Sequence, residues 1–154
     1  MLPQRLRNRF FLFLMSLPMS GYMRARLAIK AGCRIHYEPE DHGHFDLFLG
    51  HGVQIDSMHP EDIEFGNWTT IATGVVILTH FLNPKESRYP FFSHDRGKVK
   101  IGRGCFIGAK TVICKPVTIG DGSIVAAGSV VLSDIPSHEI WGGNPARFLK
   151  ARES

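Results

Sequence analysis

Three things are scarce in this sequence: long apolar runs, paired cysteines and, ahead of Glu38, acidic side chains. The longest apolar stretch near the start, FFLFLMSLPM (Phe10 to Met19), is interrupted by Pro18 and falls well short of the roughly 20 residues that cross a bilayer. A secretory leader is not expected either, because MSGYMRAR after it returns to bulky and basic residues instead of a small-x-small cleavage site. Cys33, Cys105 and Cys114 are odd in number and show no CxxC spacing, which argues against a disulfide framework or zinc knuckle and fits a reducing compartment, the cytoplasm. No helix-turn-helix or RNA-binding signature appears, and the basic stretch lacks the interleaved aromatics that stack on bases, so no nucleic-acid partner is expected.

What is present is a globular composition. With 154 residues, 44% hydrophobic and 21% charged, the chain is long enough for one domain with a core of its own. Its net charge of +4 is uneven: Arg5, Arg7, Arg9, Arg24, Arg26, Lys30 and Arg34 all precede Glu38. Residues 1–30 therefore read as a basic amphipathic helical arm. Such an arm packs on the end of the domain or on a neighbouring subunit, the reading preferred here, or lies at an anionic lipid surface as a peripheral membrane contact at its inner face.

From residue 101 the chain divides into sixes: IGRGCF, IGAKTV, ICKPVT, IGDGSI, VAAGSV, VLSDIP. An aliphatic residue opens each, at Ile101, Ile107, Ile113, Ile119, Val125 and Val131, and a mostly small residue stands fifth. A period of six is neither helical nor that of a half-buried strand, so it describes a larger unit. Each six reads as a short strand and a turn, three sides make one triangular coil, and stacking at about 4.8 Å puts Ile101 over Ile119 and Ile107 over Val125. The register runs upstream through Leu49, Ile55, Phe65, Ile71 and Ile77, with a four-residue bulge inside DSMHPEDIE. Residues 31–48 are expected to form a more irregular first coil.

The rhythm stops after VVILTH. In the six that opens at Ile77, His80 is fourth, on the outer side of the coil near a corner, and residues 81–100 carry two prolines and no six. They must leave the coil as an excursion and wall off a cleft beside the histidine. Imidazole, with an unperturbed pKa of about 6.5, can accept a proton at neutral pH.

The sixes, the ILTH before an excursion and the closing GGNPAR (Gly142 to Arg147) resemble the hexapeptide-repeat acyltransferases, and within them the maltose- and galactoside-type sugar O-acetyltransferases. The resemblance covers about Leu49 to Lys150. It implies an all-β solenoid, a left-handed parallel β-helix over residues 31–150 with a helical arm before it and a tail at 151–154. It further implies a homotrimer with clefts between subunits, and acetyl-CoA-dependent O-acetylation of a sugar or polysaccharide-precursor hydroxyl with no metal. By the same resemblance His80 is the general base and the Ala109 amide the oxyanion donor. Phe106, Gly108, Ala109 and Ala127 line the pantetheine arm, and Arg147 and Lys150 meet the nucleotide phosphates. These enzymes usually carry an asparagine one coil before the histidine; here GHGVQID stands at 50–56, so either His51 or Asp56 takes the substrate-orienting place or no residue does. Two alternatives remain beside this reading. One is N-acetylation of an amino sugar or antibiotic. The other is a non-catalytic or metal-binding β-helix, suggested by His36, His42, His44, His51 and His59 and by the gamma-class carbonic anhydrases of the same fold.

Overall fold

The computed structural model describes residues 3–82 and 94–153. Two helices lead, α1 (Gln4–Leu14) and α2 (Gly21–Ala31). Strands follow in short pieces: β1 (Arg34–His36), β2 (Leu47–Leu49), β3 (Gln54–Ile55), β4 (Ile63–Gly66), β5 (Thr69–Ile71), β6 (Val76–Ile77), β7 (His80–Leu82) and β8 (His94–Arg96). The second half holds β9 (Val99–Ile101), β10 (Phe106–Ile107), β11 (Val112–Ile113), β12 (Thr118–Ile119), β13 (Ile124–Val125), β14 (Val130–Val131), β15 (Glu139–Gly142) and β16 (Arg147–Ala151).

Successive strands belong to three different sheets in rotation. One face is β1-β4-β9-β12, the second β2-β5-β10-β13-β15-β16, the third β3-β6-β11-β14. All pairings within these faces are parallel except β15 with β16. The chain thus passes through three sheets in turn, three strands to each coil. The six-residue period is the cause: Phe65, Ile101 and Ile119 stack on the first face, Ile71, Ile107 and Val125 on the second, Ile77, Ile113 and Val131 on the third. All nine are buried, and each such side chain removed from water stabilises the fold by about 1.5–3 kcal/mol. The fifth residues Cys105, Thr111, Val117, Ser123, Ser129 and Ile135 are buried as well.

Two of the three corners turn through a left-handed residue in the fourth place. Gly52, Gly74, Gly104, Lys110, Gly122 and Gly128 have φ between 62° and 71°, a conformation that glycine adopts without strain and lysine does not. At the third corner the fourth places are Met58, His80, Pro116 and Asp134, none of them among the positive-φ residues. Here the chain is not committed to the tight turn, and here it departs from the coil.

The expected bulge resolves into a 3-10 turn at Pro60–Asp62 before β4, and the irregular first coil into β1, a 3-10 turn at Pro39–Asp41 and β2. The arm is two helices instead of one, separated around Pro18. Ser20 caps α2, accepting a hydrogen bond from the Met23 amide at 3.3 Å. Ala25, Ala28 and Ala31 are fully buried, letting α2 approach β2 so closely that a Cβ on Gly21 would lie 2.3 Å from the Phe48 ring. Buried Arg24 ties this helix to the coil through the carbonyls of Met15 (3.1 Å) and Leu49 (3.5 Å).

Candidate active site

His80 opens β7, directly past the third face, and its side chain is 32% exposed. One coil beneath lies Asp56, 2% exposed in its side chain, placed there because Ile55 and Ile77 are stacked and the Asp56 amide donates to the Ile77 carbonyl at 2.9 Å. The carboxylate collects four hydrogen bonds. Oδ1 accepts from the Met58 amide at 2.9 Å, and Oδ2 accepts from Thr79 N (3.1 Å), Thr79 Oγ1 (2.6 Å) and His80 Nδ1 (2.6 Å). Burial by itself would raise the Asp56 pKa, but the bonds from Thr79, Met58 and His80 outweigh it and bring the value down to about 2. An ionised carboxylate has no proton to give, so Nδ1 of His80 must carry the one that is shared. In the neutral ring this leaves Nε2 with its lone pair, the form a general base needs.

The strand pair β7-β8 forms a small antiparallel ribbon over this dyad, with His80 opposite Arg96 and Leu82 opposite His94. The His94 ring stands edge-on to His80, centroids 6.0 Å apart. Arg96 donates through Nε to Asp62 (2.5 Å) and through Nη2 to Glu61 (2.9 Å). The inserted bulge therefore supplies the carboxylates that hold the returning strand beside the histidine. Residues 83–93, the middle of the excursion expected at 81–100, lie outside the described residues.

The remaining site residues group elsewhere in the chain. Phe106 is exposed on the second face, in register with Phe48 and Thr70 on one side and Ile124 and Ile140 on the other. Ala109 and Ala127 occupy the corner between the second and third faces, one coil apart, with Gly128 N donating to Ala109 O at 2.8 Å. Flanking Ala109, Gly108 N donates to Val125 O (2.8 Å) and Lys110 N to Thr73 O (3.0 Å). A Cβ on Gly108 would sit 2.4 Å from Ala127 N, so only glycine lets these coils stack. Arg147 and Lys150 are exposed on β16, at the end of the second face.

His51 lies at the same corner as Ala109, on an exposed turn with Nδ1 3.4 Å from Arg24 Nη2. Asp56 points at the His80 ring. The third face, β3-β6-β11-β14, thus separates the corner of His80 and Asp56 from the corner of His51, Ala109 and Ala127.

His36 is 3.0 Å from Glu38 and His59 is 3.4 Å from Glu61, and among the described residues no three His, Cys, Asp or Glu side chains converge as a metal site. Burial raises the thiols of Cys33, Cys105 and Cys114, that of Cys105 to about 11, so they stay protonated and weakly nucleophilic at neutral pH. An open cavity of about 690 Å³ at the corner between the first and second faces is lined by Trp68, Arg103, His138 and Arg152. Its cations are engaged: Arg103 with Asp41 at 2.8 Å, Arg152 with the carbonyl of Gly122 at 2.7 Å.

Sequence reasoning missed Thr79, His94 and the Arg96–Glu61–Asp62 anchor. Thr79 had a signal, since its neighbour Leu78 falls one coil above Asp56 once the bulge is counted; the partners of Arg96 meet across the excursion and had none.

Residues 98–133 match the family described as bacterial transferase hexapeptide (six repeats). The Bacillus subtilis (strain 168) protein YvoF, provisionally named an acetyltransferase, is 40% identical over 101 residues, 66% of this chain and 55% of that protein. This chain thus spans about half the length of that relative. Two solved structures share the fold at low identity. A maltose O-acetyltransferase from Clostridium difficile 630 has a TM-score of 0.71 at 21% identity, covering 98% of this chain and 87% of that one. The hexapeptide-repeat containing acetyltransferase VCA0836 of Vibrio cholerae O1 biovar eltor, complexed with acetyl coenzyme A, has a TM-score of 0.71 at 21% identity, covering 98% and 88%.

Proposed function

We propose that the chain is an acyltransferase that moves acetyl from acetyl-CoA to a hydroxyl of a sugar or polysaccharide precursor, without an acyl-enzyme. The observation that carries this reading is the Asp56–His80 pair, a half-exposed imidazole whose Nδ1 proton is held by a buried carboxylate at 2.6 Å. Nε2 of His80 takes the acceptor hydroxyl proton as that oxygen attacks the thioester carbonyl. The tetrahedral oxyanion is met by the Ala109 amide. Collapse breaks the C–S bond, and His80 returns its proton to the leaving thiolate.

Asp56 has a positioning role in this scheme, and His51 is left as the acceptor-side candidate of the pair. The pantetheine arm runs along Phe106, Gly108, Ala109 and Ala127, with the phosphates at Arg147 and Lys150. Acetyl-CoA bound to VCA0836, a neighbour in fold, supports the donor, and the family match over residues 98–133 supports the transfer class.

In one chain the base and the oxyanion donor occupy different corners, so the reading requires a second copy to bring them together. The outer faces support that. Arg34, Glu64, Lys100 and Thr118 line the first face, whereas Gln54, Val76, Val112 and Val130 line the third and Phe48, Thr70, Phe106, Ile124 and Ile140 the second. Two mostly apolar faces per chain suit a head-to-tail ring of three about one axis, with three clefts. The left-handed sense of the coil and a cytoplasmic location, where acetyl-CoA is at hand, belong to the same reading.

The test is thiol release from acetyl-CoA with a panel of sugars and amino sugars. Wild type should turn over with a hydroxyl acceptor and give a hydroxylamine-labile ester. His80→Ala should lose on the order of 10²- to 10⁴-fold in kcat while still binding acetyl-CoA by calorimetry. Equal rates in the two proteins would remove His80 from the reaction.

A further inference from the structure

Helix α1 packs one side on the protein: Asn8 is buried, Leu12 packs on the core, and Met15 is buried just past the helix end. The opposite side presents Leu6 and Phe10, each 53% exposed, and Phe13, 65% exposed. At 100° per residue these three fall within one narrow stripe, and Arg5 and Arg9 flank it on one side and Arg7 on the other. All three arginines are exposed. Large apolar side chains in a row are costly in water unless something covers them.

We infer that α1 seats the protein on an anionic lipid bilayer, its Leu6–Phe10–Phe13 stripe entering the headgroup boundary and its arginines pairing with lipid phosphates. Charge selects this occupant over a second copy of the chain. A partner protomer would bring the same arginines to the contact, whereas an anionic leaflet complements them. The structure also offers a headgroup-sized recess at the helix: a cavity of about 430 Å³ lined by Arg5, Arg9, Ser57, Met58 and His59. Two guanidinium groups beside one recess suit a phosphate. The recess opens next to Asp56, whose carboxylate accepts from the Met58 amide, so a bilayer bound there lies on the side of the His80 corner. The inference does not depend on the transfer reaction.

The test is co-sedimentation of the full chain with vesicles of phosphatidylcholine alone and of phosphatidylcholine with phosphatidylglycerol. Wild type should partition onto the anionic vesicles, less so at high salt, and stay off the neutral ones. Phe10→Ser/Phe13→Ser should weaken that partitioning by more than about tenfold. Arg5→Gln/Arg9→Gln should weaken it by roughly twenty-five-fold, at about fivefold for each cation near the surface. Neither pair should shift the unfolding temperature or the mass in solution, because all four side chains are exposed. No binding to anionic vesicles, equal binding to neutral ones, or variants that bind as wild type would overturn the inference. So would a fall in oligomer mass for the phenylalanine pair, which would place the stripe between copies of the chain.

Discussion

Replacing Asp56 by asparagine keeps the shape of the dyad and removes the feature on which the base assignment rests. The carboxylate accepts four hydrogen bonds, two of them from backbone amides, which cannot reverse their role. An amide group offers one oxygen and one NH₂. With its oxygen toward Thr79 and His80, its NH₂ meets the Met58 amide donor to donor. With the NH₂ toward His80, the ring must accept at Nδ1 and carry its proton on Nε2, where it can no longer act as base. The carboxylate is ionised at about 2 against an ordinary 3.8, and at about 1.4 kcal/mol per unit this contributes about 2 kcal/mol to stability.

Because the folded value is depressed, that contribution is present above about pH 4 and is lost as pH falls from about 4 to about 2. The expected outcome is a kcat lowered by on the order of 10² to 10⁴ with little change in KM for acetyl-CoA. In chemical denaturation at neutral pH the midpoint should correspond to a loss of about 2 kcal/mol, and the gap to wild type should close across the same acid window. A double cycle with His80→Ala isolates the coupling: once the ring is gone, Asp56→Asn should cost nothing further in rate. An Asp56→Asn protein that keeps the wild-type kcat would refute the tautomer argument.

Two further outcomes follow from the coil and its end. Ile113, fully buried between Ile77 and Val131, should cost about 2–5 kcal/mol on replacement by alanine, read from denaturant midpoints, with the acetyl-CoA affinity unchanged in the folded fraction. Arg147→Gln/Lys150→Gln, both exposed, should leave stability within about 0.5 kcal/mol and weaken acetyl-CoA binding by roughly tenfold or more, with a shallower salt dependence; calorimetry at two ionic strengths checks both.

The parallel stacking of the sixes was legible in the sequence because the six-residue period is a local rule repeated along the chain. Ile101 over Ile119 and Ile107 over Val125 required only counting, and backbone pairing 18 residues on did the rest. The departure at His80 was legible for the same reason, as a break in that count. The partner of the imidazole was only half legible: Asp56 stood out by position, but its direction, toward the ring with Thr79 closing the far side, depends on how one coil settles on another.

Composition and period alone fixed the repeat, the stacked interior and the identity of the interrupted corner, since burial of aliphatic rows leaves no freedom in register. Only the folded molecule decided which carboxylate holds His80, that Arg96 returns to Glu61 and Asp62, and that His80 and Ala109 sit at different corners. Those relations join residues whose distance along the chain says nothing about their distance in space. They arise where the winding brings separate turns together and where the excursion comes back.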